Sequence, residues 1–138
     1  MTSKSKTRDV QKSLYLNFLK KAQECYNAAL HAFEDQGWNA LAVNTVHCCI
    51  SACDAMCVYF LGRRSSSENH NDAIKLLKAI KIKSEDLNAN TNRLLNILRI
   101  KNMVEYEERL IYRSEAEKIL KDCQRFLEYV KRNLPKEQ

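Results

Sequence analysis

Two glycines and one proline among 138 residues constrain this chain more than any other feature. A fold assembled from many short strands needs Gly, Asn and Pro at its turns. Here Gly37, Gly62 and Pro135 are nearly the only residues that break regular structure, so few, long helices are expected. The length fits one domain and is enough to bury a core without metal or disulfide staples. Hydrophobic residues at 45% and charged residues at 29% exclude wholesale disorder.

The apolar residues recur at helical spacing. The stripe Leu14, Phe18, Ala22, Cys25, Ala29 and Phe33 predicts a first helix from about Asp9 to Gln36. Gly37 ends it, where a left-handed residue is least costly. Trp38 opens a second helix to about Leu61, stopped by Gly62; its wide apolar face (Leu41, Val46, Cys49, Cys53, Met56, Phe60) places it at the centre. Arg63 to Asp72 reads as a polar loop, with Asn71 or Asp72 capping a short third helix that carries Ile74, Leu77 and Ile80. Lys83-Ser84 is a second break, and Ser84 caps a fourth helix with Leu87, Leu94, Leu95, Leu98 and Met103. After a bend between Tyr106 and Arg113, Ser114 and Glu117 have capping-box spacing. A last helix follows on Ala116, Ile119, Leu120, Cys123, Phe126, Leu127 and Val130. The expected fold is all-α, an antiparallel up-down bundle of about five helices, four long and one short. It forms a single domain over residues 1–138, with residues 1–8 a flexible basic tail.

The polar N-terminus leads into no apolar segment, so no secretory signal is expected. No run of about 18 apolar residues is present, so no membrane span is expected. Six cysteines without such a signal read as free thiols of a reducing compartment, and the expected location is cytoplasmic.

Cys48, Cys49, Cys53 and Cys57, with His47 beside them, invite a metal hypothesis. Cys49, Cys53 and Cys57 line one face of a helix, spread over about 12 Å at 1.5 Å per residue. Zinc ligands instead converge from two segments. The thiols therefore read as small apolar core filler, and neither a metal nor a cofactor is expected. The lone His31 and His47 read as surface or core-edge residues. With two glycines there is no phosphate-cradling loop. The net charge of +6 permits an anionic partner. It is concentrated at Lys4, Lys6, Arg8, Lys12, Lys20 and Lys21, and again at Arg63, Arg64, Lys75, Lys78, Lys81 and Lys83. A solvated basic face is the plainer explanation of these runs, and an anion-binding surface the sharper one.

Three stretches, in order, resemble the HEPN family (higher-eukaryote and prokaryote nucleotide-binding). Gly37 to Cys48 is similar to the family's aromatic-containing entry to the second helix. Asn69-His70-Asn71-Asp72-Ala73-Ile74 looks like its Thr-His-Asp-Leu opening of the short helix. Leu98 to Tyr106, then Ser114 to Glu117 and Phe126-Leu127-Glu128, resembles its Arg…(Asp/Glu)-Tyr ending of the fourth helix and the capped last helix. The resemblance runs from about Leu14 to Leu134. It implies a dimer-forming bundle associated with nucleotides or RNA, in some members partnered with a small nucleotidyltransferase in toxin–antitoxin systems. RNase members carry R-x4–6-H near the fourth helix. From Arg99, the matching positions here hold Val104, Glu105 and Tyr106. Only Arg63 or Arg64 to His70 fits that spacing, in a different part of the fold.

Three functions are weighed on this basis. The first is a non-catalytic nucleotide-, RNA- or protein-binding module, a homodimer or partnered with a nucleotidyltransferase. The second is a metal-independent RNase using Arg64 and His70. The third is a bundle without a ligand. For the first, the expected surface is Arg99, Lys101, Asn102, Tyr106 and Arg109. Arg99, Asn102 and Tyr106 share a face if the helix persists to Tyr106. Arginine can clamp a phosphate, lysine adds a point charge and tyrosine can stack on a base.

Overall fold

Alpha2 (α2), Trp38–Leu61, is apolar nearly all round, and a computed structural model of the chain shows the other elements gathered about it. The model describes residues 6–82 and 86–136. Strand β1 (Thr7–Asp9) and one 3-10 turn (Lys12–Leu14) precede α1 (Tyr15–Glu34). Strand β2 (Arg63–Ser65) and α3 (His70–Lys78) follow α2, and α4 (Leu87–Tyr106) and α5 (Arg113–Asn133) complete an all-α bundle of five helices. By length and composition α2 could cross a membrane, yet 72% of its most apolar window is buried inside the bundle. It packs against α1, α4 and α5 as a core helix, with Leu41, Val46, Cys49, Met56 and Val58 at or near zero exposure.

The helix ends show why the elements stop where they do. At the end of α1 the Gly37 N–H donates to the Ala32 carbonyl and the Gln36 N–H to that of Phe33. This double closure needs a left-handed residue between helix and exit. Gln36 takes that conformation at φ 57°, not Gly37, which sits at φ −88° as the N-cap of α2. Gly62 does close α2 in the left-handed region, at φ 69°. Asn69 caps α3 by accepting from the Asn71 N–H, two residues earlier than Asn71 or Asp72 would have. The capping box expected at Ser114 and Glu117 forms one turn-residue earlier in part. Glu115 accepts from the Tyr112 N–H at 2.9 Å, because α5 begins at Arg113. The Lys83-Ser84 break lies outside the described residues.

The largest departure from the sequence reading is a small ribbon. Thr7, Arg8 and Asp9 pair antiparallel with Ser65, Arg64 and Arg63. Val10 N–H donates to the Gly62 carbonyl and Ser66 N–H to that of Lys6, extending the ladder. The flexible tail expected over residues 1–8 therefore gives way to a strand at Thr7, and the loop expected from Arg63 opens with one. The pairing also delays the first helix. Residues whose backbone groups are spent on a ladder cannot start a helix, so α1 begins at Tyr15, not near Asp9.

The two glycines differ in what they supply. A Cβ on Gly62 would meet nothing within 4 Å, so only its positive φ resists substitution. Gly62→Ala is expected to lower the unfolding free energy by about 1 kcal/mol. Gly37→Ala, at negative φ with ordinary contacts, is expected to change it by less than about 0.5 kcal/mol. Urea denaturation of the two variants checks this contrast.

Candidate functional site

Among the residues of α2 from Trp38 to Leu61, Asp54 alone is acidic, and none is lysine or arginine. The bundle buries it to 8% exposure. Its carboxylate faces the Arg64 guanidinium of β2 at 3.8 Å. Gly62 makes this possible by turning the chain back at the end of α2, so that β2 runs beside the helix it has just left. Burial pushes the Asp54 carboxyl up to about 7, and Arg64 and then Lys21 only partly offset it. A carboxyl with this poise exchanges its proton near neutrality.

Asp54 also lines a narrow crevice of about 60 Å³ with Ser65, Ser67, Asn69 and Lys101. The crevice thus joins α2, the β2–α3 connection and α4. Asn69 is the cap residue directly before His70; the side chain of His70 lies outside the described residues. Around the crevice, aromatic rings carry cations. Arg64 lies 5.6 Å and the Lys21 ammonium 5.5 Å from the Phe18 ring centre. The Lys12 ammonium lies 4.4 Å from that of Tyr59. The ribbon sets Arg8 directly opposite Arg64 and brings Lys6 alongside. Two basic runs that are far apart in sequence become one face.

The HEPN domain family model matches residues 15–133, from the first residue of α1 to the last of α5. The chain belongs to the HEPN domain family. HEPN domains are all-α and are generally associated with nucleotides and RNA. No curated protein matches this chain. Strand β1 lies outside the matched residues, so the ribbon adds to the HEPN bundle a strand that the family model does not cover.

Within this HEPN domain the surface expected on α4 does not gather around one cleft. Arg99 and Lys101 are separated by roughly 200° around the helix. Lys101 lines the Asp54 crevice. Arg99 instead lines a pocket of about 270 Å³ between α4 and α5, with Glu115, Lys118 and Asp122. Tyr106 is 79% exposed at the helix end, and Asn102 is exposed on the same side. Arg109 is engaged elsewhere: its two terminal nitrogens each donate to a carboxylate oxygen of Glu115 at 2.8 Å. That fork, with the Tyr112 N–H, holds the Glu115 carboxyl down to about 2, and it fixes the α4–α5 turn.

Sequence reasoning passed over Asp54. The signal was present: a single ionisable side chain within the most apolar helix. The cysteines also have neighbours that helical spacing could not supply. Cys48 shares side-chain hydrogen bonds with Cys49 and with Cys123 of α5, and Cys123 reaches the Thr45 carbonyl at 3.9 Å. Burial pushes the Cys49 thiol far up, which suits packing and not nucleophilic attack.

The pH dependence follows from Asp54. Unfolded, it releases its proton near the usual 3.8; folded, near 7. Between those values the folded state holds a proton that the unfolded state has lost, so stability from this group is full below about pH 4 and falls as pH rises toward 7. Asp54→Asn is therefore expected to raise the unfolding free energy by about 1–3 kcal/mol at pH 8, with the gain vanishing near pH 4. Denaturation at the two pH values measures this, and a variant less stable at pH 8 contradicts the burial argument.

Proposed function

We propose that this HEPN domain binds RNA through the basic face made by the ribbon and the start of α1, with Arg64 as its main anchor. The observation that carries the reading is the register of the ribbon. Arg8 and Arg64 stand directly across from each other, and like charges in that relation repel. A phosphate between them turns the repulsion into attraction. Arg64 offers a planar fork for a phosphodiester, Lys21 and Lys12 add charge, and Phe18 and Tyr59 supply ring faces at which bases can stack. Lys101 places one further cation at the crevice.

One observation favours a second reading. Asp54 holds a proton near neutral pH within the crevice that Asn69 lines, just before His70. A carboxyl so poised beside an arginine is suited to general acid–base chemistry on a phosphodiester, which is the RNase reading with Arg64 and His70. The remaining features rest on family resemblance: a nucleotidyltransferase partner, a toxin–antitoxin role and a cytoplasmic location. Homodimerisation has additional support in Tyr106, Leu110 and Tyr112, exposed to 79%, 70% and 64% on the rigid α4–α5 turn, since such apolar clusters mark contact surfaces.

Two outcomes are expected. Titration of a single-stranded RNA from low to moderate salt should show binding that weakens with salt. Arg63→Ala/Arg64→Ala should reduce the log–log salt slope by about 1.4, at roughly 0.7 per phosphate contact, while Arg99→Ala leaves it unchanged. An unaltered slope in the double variant sinks the reading, and recovery of shortened RNA that stays intact with Asp54→Asn selects the second. Light scattering should give a dimer that Leu110→Glu converts to a monomer.

A further inference from the structure

A second basic region lies apart from the Arg64 crevice, in a groove of about 890 Å³ between the start of α1 and the end of α5. Both helices pack mainly on α2 and touch each other sparsely, which leaves a channel between them. Its floor is apolar, formed by Leu16, Leu19 and Pro135, with Tyr15 at one end. Leu16 remains 41% exposed. The rim carries Lys20 from α1 and Lys131 and Lys136 from the end of α5, and no carboxylate lines it among the described residues. Lys131 donates to the side-chain oxygen of Gln23, so the rim lysines are held over the groove by a bond between the two helices.

We infer that this groove docks an acidic amphipathic helix of a partner protein. Three features select that occupant. The groove's α1 wall from Tyr15 to Gln23 is about 12 Å long, or two turns of helix, and two turns about 10 Å wide occupy roughly 850 Å³, close to the space present. The floor presents Leu16 and Leu19 at the spacing that receives the apolar stripe of such a helix. The cations are spread along two walls on flexible stems, which suits carboxylates on both flanks of a helix. A phosphate would require them to converge, and no arginine lines the groove among the described residues.

The test uses the full chain and a fluorescent peptide of four turns, with leucines at i, i+3 and i+7 and glutamates on both flanks. Saturable binding is expected, weakened by added salt and reduced about tenfold or more by Lys20→Glu/Lys131→Glu. Leu16→Ser should weaken it as well, which separates docking from simple charge attraction. All three positions are exposed, and circular dichroism of the variants verifies folding. Absence of saturable binding, equal binding of a peptide with the leucines replaced by serine, or indifference to both variants overturns the inference. So does a single-stranded RNA or ATP whose binding the Lys20/Lys131 variant abolishes. RNA binding at the ribbon responds to Arg63 and Arg64, so failure of either reading leaves the other measurable.

Discussion

A helix that is apolar on every side cannot rest on a surface; it has to be enclosed, and the enclosure of α2 dictates where everything else goes. α1 and α5 each bury a stripe against it, α4 closes a third side, and the leftover space between α1 and α5 remains a groove. The Arg109–Glu115 fork then fixes the turn by which α5 returns to its place on α2. Core residues here are small and medium-sized, with alanines and cysteines repeated along α2, so the surrounding helices approach closely.

Asp54 is the exception that such a helix has reason to exclude. Placing an ionisable group inside the bundle costs stability at neutral pH, and a polar residue kept at that cost is a mark of a working site. The arrangement also links proton and anion. Arg64 is the cation that most lowers the proton affinity of Asp54. A phosphate that draws Arg64 away removes that influence, so binding there takes up a proton, and affinity falls as pH rises through 7.

The bundle was legible in the sequence because its determinants are local. Apolar stripes at three- and four-residue spacing located the helices, and α2 runs from Trp38 to Leu61 as its composition and flanking glycines indicated. What could not be read depends on distant partners. Nothing in Thr7–Asp9 announces a strand until Arg63–Ser65 is beside it, and six alternating residues in two short pieces are too little for pattern alone. The site followed the same division. Basic runs were visible as runs, but only the ribbon shows that Arg8 and Arg64 share a face. Arg99 and Lys101 look adjacent in sequence, and helical geometry sends them to opposite sides of α4.

The ribbon also says something about order of assembly. Two three-residue strands are marginal in isolation, and joining Thr7 to Ser65 closes a loop that contains all of α1 and α2. Packing those two helices together brings the loop ends near each other before any strand bond forms. The ladder is therefore the last part of this half of the molecule to close and the first to open. The face that gathers the cations is a clasp on the N-terminus, and an anion bridging both strands fastens it.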